Sequence, residues 1–232
     1  MQAEDLYQNI WQRKVQGQAT IPEGSRGAVA LSLITTGSKA LDIGCGDGTL
    51  AVALAARIPS VCGIDISADA VTATIQKGID AKQVNLDTDS MPFAEGAFDT
   101  VTCLDVLEHV FDPRRAARQI AQVCSPGATL VISTPNMRYW RHIKAIIGGS
   151  FPLTSMDEEG YDGGHLHYYT AANLRQLIRP WFDVQRVCGI PGAPTHSKST
   201  RLIKLLMPGQ KGDEFAYPGI AILARRNTTA VE

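Results

Sequence analysis

Hydrophobic positions along the chain follow two alternating rhythms. Short apolar runs bounded by turn residues read as strands over 40–43, 61–65, 82–86, 98–103, 129–133, 182–187 and 220–224. Between them, apolar residues spaced three or four apart read as helices over 50–57, 68–77, 113–123, 137–147 and 171–179. Two further helices, over 6–11 and 28–34, precede the first strand. The boundaries carry their own signals. Ser67 and Thr170 are N-cap residues, Asp112-Pro113 is an N-cap followed by proline at the first helical position, and Gly78 suits a helix end. Strands separated by helices predict a doubly wound α/β fold, with a mostly parallel sheet covered by helices on both faces. The periodicity fades after Thr134-Pro135-Asn136. Residues 150–169 read as loop, and 188–216 as a Pro-, Gly- and Ser-rich stretch carrying the basic Lys198, Arg201 and Lys204.

The first strand runs into Asp42-Ile43-Gly44-Cys45-Gly46-Asp47-Gly48-Thr49. A strand, a glycine-rich turn and a helix open a nucleotide-binding βαβ unit, in which the helix N-terminus offers unpaired N–H groups to a polar ligand. A dinucleotide fingerprint needs glycine at 49, where this chain has threonine. Asp42, two residues before the first glycine, would repel a pyrophosphate and suits a ligand that carries an ammonium. S-adenosylmethionine fits that requirement better than NAD, which leaves an NAD-dependent oxidoreductase as the weaker reading. Asp65 closes the second strand 21 residues after Gly44, the place from which a carboxylate reaches both hydroxyls of a ribose. Ile66 would then lie against the adenine face. The third strand leads into Asn85-Leu86-Asp87-Thr88, whose polar groups suit an adenine, with the register between Asn85-Leu86 and Asp87-Thr88 left open.

Composition narrows the classes. The chain has 232 residues, 44% of them apolar, and a formal net charge of −1. That is enough for a sizeable core and gives no reason to expect nucleic acid or an anionic membrane as partner. Five scattered cysteines with no C-x-x-C fit a reducing compartment, so a cytoplasmic location is expected. Residues 1–14 lack the pattern of a signal peptide, and no apolar run approaches the roughly 18 residues of a membrane span.

Taken together the motifs resemble class I S-adenosylmethionine-dependent methyltransferases. The pieces are Leu41-Asp42-Ile43-Gly44-Cys45-Gly46-Asp47-Gly48, Gly63-Ile64-Asp65, Met91-Pro92-Phe93, Ala97-Phe98-Asp99, Leu107-Glu108-His109-Val110 and Ser125-Pro126-Gly127-Ala128. Thr134-Pro135-Asn136, Gly148-Gly149 and His165-Leu166-His167-Tyr168-Tyr169-Thr170 look like the MetW-like branch. The resemblance implies one domain over 1–232, made of an N-terminal helical segment or lid (1–38), a cofactor-binding core (39–135) and an acceptor side (136–232). It implies a Rossmann-like sheet of seven strands with the last antiparallel. Asp42, Gly44, Cys45 and Gly46 would hold the methionine part of S-adenosylmethionine, Asp65 and Ile66 the ribose and adenine, and Asn85, Leu86 and Asp87 the adenine. Cys103 and Leu104 would line the methionine part from the other side. The partner implied is a small-molecule acceptor, with the chain a monomer or a homodimer.

Three histidines are candidate catalytic bases. His109 follows the fourth strand and faces the expected crevice, or else belongs to a structural turn. His165 and His167 lie in the loop, and alternation along an extended segment turns only one of them inward. Asp105, Glu108 and His109 are spaced to share a helical face. With His165 they resemble the magnesium site of small-RNA 2′-O-methyltransferases and the acidic-His motif of ubiquinone-pathway O-methyltransferases. Those families have glutamate where this chain has Asp105, and no metal is assigned. Tyr139, Trp140, Tyr168 and Tyr169 are candidate walls of an acceptor pocket, and Arg138, Arg141 and Lys144 a candidate anion site. The function expected is methyl transfer to an oxygen, nitrogen or carbon of a small molecule. The alternative is an accessory protein that keeps the fold and acts through a partner enzyme.

Overall fold

The structure is a computed structural model and describes residues 20–155, 161–192 and 198–228, together with Glu4, Leu6, Gln8 and Asn9. Of the helix expected over 6–11, Leu6, Gln8 and Asn9 are described and helical, and residues 7, 10 and 11 lie outside the described residues. Helix α1 (Arg26–Leu33) leads into β1 (Lys39–Ile43), α2 (Thr49–Ala55), β2 (Ser60–Asp65), α3 (Ala68–Gln76), β3 (Asp80–Gln83), β4 (Phe98–Leu104), α4 (Pro113–Val123) and β5 (Cys124–Pro135). Then come α5 (Trp140–Ile147), a 3₁₀ turn (Asp162–Gly164), α6 (Ala171–Ile178), β6 (Phe182–Ile190), α7 (Lys198–Leu206), α8 (Gln210–Ala216) and β7 (Gly219–Arg226).

The seven strands form one sheet in the order β3-β2-β1-β4-β5-β7-β6. β1 to β5 pair in parallel, and β7 runs antiparallel to both β5 and β6. The period-2 pattern explains why both faces are covered. Leu41 and Ile43 of β1, Leu130 and Ile132 of β5, and Ile220 and Ile222 of β7 pack on one side with Ile120 of α4 and Leu174 of α6. Ala40, Val131 and Ala221, the intervening residues, pack on the other side with Ala30 and Leu33 of α1 and Leu54 of α2. Each such fully buried large side chain contributes about 1.5–3 kcal/mol, so the two cores together fix the sheet. The direction of chain progress reverses between β1 and β4. At that point the carboxyl ends of the two strands part, and open α/β sheets bind their ligands there. No helix among the described residues is long and apolar enough to cross a membrane.

The helix caps follow the sequence. The Ser67 hydroxyl accepts from Ala70 N, Asp112 accepts from Arg115 N with proline following it, and Thr170 and Asn173 make a capping box. Two expectations need correction. β3 spans Asp80–Gln83 rather than 82–86. Its partner β2 ends at Asp65, which pairs with Gln83 and takes one last hydrogen bond from Val84 N at 2.9 Å, so the pairing stops there. In the stretch 188–216, for which the pattern predicts no element, β6 runs on to Ile190 and α7 and α8 follow. Its prolines and glycines cluster at 191–194 and 208–212, which leaves a helix-forming segment between them.

Candidate functional site

The site begins at the end of β1. Gly44, Gly46 and Gly48 all have positive φ, at 72°, 54° and 75°. Two of them are also fixed by packing. A Cβ on Gly44 would stand 2.5 Å from Val106 Cγ2, and one on Gly48 would stand 3.0 Å from the Cα of Thr74. The turn is tied to β2 by Gly44 N and Cys45 N, which both donate to Ile64 O at 2.8 and 3.0 Å. Asp65 clasps it from below: Oδ2 accepts from Gly46 N and Oδ1 from Ser67 N, each at 2.9 Å. Burial raises the Asp65 carboxyl above its ordinary value, against the hydrogen bonds from Ser67 and Gly46.

A cavity of about 480 Å³ opens at the carboxyl ends of β1 and β4. One end is lined by Gly44, Gly46, Asp65 and Ile66, with Asn85, Leu86 and Asp87 alongside. The chain holds those last three in a compact turn. Asn85 Oδ1 accepts from Asp87 N at 3.0 Å, Asp87 Oδ1 accepts from Phe111 N at 2.9 Å, and the Arg115 guanidinium donates to Leu86 O. The other end is lined by Leu104, Asp105, His109, Thr154 and His165. A second cavity of about 710 Å³ shares Arg26, Gly44, Gly46, Leu104 and Asp105 with the first and adds Asp42 and Cys45. The two are parts of one cleft.

Asp42 sits 2% exposed, and its Oδ1 accepts from Thr102 Oγ1 at 2.6 Å. Burial pushes its carboxyl up to about 7, while the Thr102 hydrogen bond works against the rise. Cys45 is buried beside Thr74, and burial pushes its thiol far above the ordinary value. Cys103, expected beside the cofactor, lines neither cavity. It is fully buried in the core, because alternation along β4 gives the cleft to Leu104 and turns Cys103 away.

Beyond β4 the backbone is strained. Asp105 has φ 53°, unusual for a residue with a side chain. It is held there by Ser133, whose Oγ donates to Oδ1 at 2.5 Å, and by Arg26 of α1, whose Nη1 lies 2.7 Å from Oδ2. Glu108 follows, 1% exposed, with neither carboxyl oxygen hydrogen-bonded among the described residues. Burial, with the Asp105 carboxylate second, pushes its carboxyl well above the usual carboxylate range. The Glu108 carbonyl accepts from Leu166 N and His167 N at 2.8 and 3.0 Å, which docks the 161–170 segment against this turn.

That docking brings the histidines together. The rings of His109 and His165 lie with centroids 4.7 Å apart, and His109 Nδ1 is 3.4 Å from Gly164 O. His167 points elsewhere: its Nε2 donates to Val110 O at 2.9 Å, and it lines neither cavity. Ligand atoms of Glu108, His109 and His165 fall within 4.8 Å of one another, so these three could hold a divalent cation. Asp105, the fourth member of the set considered from sequence, has its carboxylate engaged by Arg26 and Ser133. Tyr139, Trp140, Tyr168 and Tyr169 line neither cavity, and Arg138 pairs with Glu214 at 3.1 Å.

Three residues of this cleft were not singled out from sequence. Arg26 reaches it from α1, 79 positions from Asp105. Thr154 and Asp162 support His165. A signal for Asp162, though none for Thr154, was present in Asp162-Gly163-Gly164-His165, an acidic residue and two glycines leading into a histidine within an aperiodic stretch.

Comparison with known proteins agrees with this geometry. Residues 12–179 match the family described as a methyltransferase domain. A ubiquinone biosynthesis O-methyltransferase of Psychrobacter arcticus is 32% identical over 166 residues, 66% of this chain and 62% of that protein. A protein of the same name from Pseudomonas aeruginosa is 37% identical over 152 residues, 62% of this chain and 60% of that one. The matches thus span about six-tenths of the relatives' length. Among solved structures, a methyltransferase in complex with the Haloferax volcanii Trm112 activator superposes over 100% of both chains, at TM-score 0.68 and 15% identity. The N-methyltransferase NodS of Bradyrhizobium japonicum, solved with S-adenosylhomocysteine, covers 96% of this chain and 98% of its own at TM-score 0.60 and 15% identity. At such identities the likeness speaks for the fold.

Proposed function

The chain belongs to the class I S-adenosylmethionine-dependent methyltransferase family, with S-adenosylmethionine as its cofactor, and from that premise we propose that it methylates a hydroxyl oxygen of a small-molecule acceptor. One observation carries the reading. A single cavity joins the glycine turn and Asp65 at one end to His109 and His165 at the other. The residues fit the cofactor chemically. The buried Asp42 carboxyl suits the methionine ammonium, with Gly44, Cys45 and Gly46 around it. Arg26, paired with Asp105, is the one Lys or Arg among the described residues that line the cleft, and it would suit the methionine carboxylate. Asp65 would take the ribose hydroxyls, Ile66, Asn85, Leu86 and Asp87 would enclose the adenine, and Leu104 would line the methionine part; all of them line the cleft.

When bound, S-adenosylmethionine supplies a methyl group already made electrophilic by its sulfonium. The chain has to orient the acceptor and take its proton. Orientation alone is worth ~7–11 kcal/mol. His165 takes the hydroxyl proton at Nε2, a contribution of ~10²–10⁴-fold in rate. An amine or thiolate acceptor would need no such base, and the relatives named above are O-methyltransferases by name, so a hydroxyl acceptor is favoured.

The test is transfer of labelled methyl from S-adenosylmethionine to a panel of phenols and catechols. Wild type should label at least one, and His165→Ala should lose about 100-fold or more in kcat while still binding S-adenosylhomocysteine. Equal turnover by the variant would remove His165 as the base. Cofactor binding with no acceptor turned over would move the chain to the accessory class. A second reading places a divalent cation among Glu108, His109 and His165, and the observation behind it is the buried, unbonded Glu108 carboxyl.

A further inference from the structure

The loop that carries His165 is built to an unusual degree. Tyr161, Asp162, Gly163 and Gly164 have φ of 51°, 54°, 70° and 78°, four successive residues in the left-handed region. For the two that carry a side chain this conformation is unfavourable, and it persists only where surrounding contacts enforce it. What it achieves is the burial of Asp162. That residue is 2% exposed, and its carboxylate accepts from Thr154 N and Ser155 N at 2.6 Å each and from Thr154 Oγ1 at 2.8 Å. In all three contacts Asp162 is the acceptor, the arrangement that suits a carboxylate.

The Thr154 hydroxyl has one proton, and it goes to that carboxylate. Its oxygen lies 2.7 Å from His165 Nδ1, which is itself 3.4 Å from Asp162 Oδ2. A bare Nδ1 lone pair would face a hydroxyl oxygen whose proton is already engaged and a carboxylate oxygen. Both contacts would be repulsive. With a proton on Nδ1 both become attractive.

We propose that Thr154 and Asp162 are positioning residues that lock His165 with its proton on Nδ1, so that the ring exchanges protons with the acceptor only through Nε2. The inference rests on the role given to His165 above. Its own readout is independent of that role, because the tautomer is read without acceptor or cofactor. The lock acts in either charge state of the ring: Nδ1 keeps its hydrogen bond to Thr154, and only Nε2 gains or loses a proton. The left-handed turn and the buried carboxylate within it serve the orientation of a single nitrogen.

The experiment is long-range proton–nitrogen correlation NMR on protein labelled with ¹⁵N-histidine, at a pH where His165 is neutral, with His165→Gln identifying its signals. Wild type should show a protonated Nδ1 and an unprotonated Nε2. Thr154→Val, which keeps the shape and the backbone N–H to Asp162 but removes the hydroxyl, should lose this signature, and Thr154→Ser should restore it. In turnover, Thr154→Val should lower kcat about tenfold or more with the acceptor KM and the affinity for S-adenosylhomocysteine unchanged, and Thr154→Ser should stay within about threefold of wild type. A wild-type His165 protonated on Nε2, or a Thr154→Val variant whose tautomer is unchanged, overturns the lock. Absence of methyl transfer by wild type would instead overturn the function proposed above, and would leave the nitrogen signature as predicted.

Discussion

Replacing Asp42 by asparagine should stabilise the ligand-free protein at alkaline pH and weaken cofactor binding. The carboxyl of Asp42 is buried and titrates near 7 when folded, against an ordinary value of 3.8. The unfolded chain releases this proton near pH 4, whereas the folded protein retains it to about pH 7. Between those values the folded state binds more protons, so stability falls as pH rises across the window. Below it both states are protonated and the group costs nothing. Asparagine is neutral throughout and keeps an oxygen for the Thr102 hydroxyl. Two pH units separate pH 5 from the folded midpoint, and each is worth about 1.4 kcal/mol, so the variant's advantage should grow by about 3 kcal/mol from pH 5 to pH 8. For a chain of this size that is a widening of the melting-temperature difference by about 6–12 °C. Thermal melts of both proteins without ligand, taken across that pH range, measure it directly. A difference that stays flat with pH would refute the buried, ionising carboxylate. The same variant should bind S-adenosylhomocysteine about 10- to 100-fold more weakly at pH 8, the loss expected for a charged hydrogen-bond partner. Wild-type affinity should rise with pH up to about 7 and then level off.

Gly44→Ala places a Cβ 2.5 Å from Val106 Cγ2 at a φ of 72°, and should cost about 2–4 kcal/mol of stability in urea melts along with much of the cofactor affinity. His167→Gln removes the hydrogen bond to the Val110 carbonyl and the ring beside Tyr169; neither His167 nor Tyr169 lines the cleft, so kcat should stay within about threefold of wild type, in contrast with His165→Ala. Exhaustive chelation, followed by assay with and without added magnesium or zinc, should leave methyl transfer unchanged if His165 acts as a base. Loss restored by one of the metals would favour the cation reading at Glu108, His109 and His165.

The part of the cleft around the glycine turn was legible in the sequence because its elements are local. A strand, a glycine turn and a helix carry Asp42 to Gly48 within one unit, and strand spacing carries Asp65 to its side. Caps at Ser67, Asp112 and Thr170 were legible for the same reason. Around His109 and His165 the residue spacing said less, and Glu108, His109 and His165 were grouped only through the resemblance, because that part is assembled from distant, aperiodic segments. Arg26 meets Asp105 across the cleft, and Glu108 and His165 meet only because the Glu108 carbonyl anchors Leu166 and His167. No period marks such contacts. The choice between His165 and His167 needed the fold as well. Alternation said that one would turn in, and the Val110 carbonyl takes His167. Cys103 illustrates the reverse case, where motif position suggested the cleft and the two-residue period of β4 sends the side chain to the core.

The most direct measurement is calorimetric titration of S-adenosylhomocysteine into wild type and Asp65→Ala, with NAD as control. The account predicts binding to wild type with one site per chain, binding lost or weakened at least about tenfold in the variant, and none for NAD. No binding of S-adenosylhomocysteine to wild type, or binding that ignores the loss of Asp65, would contradict it.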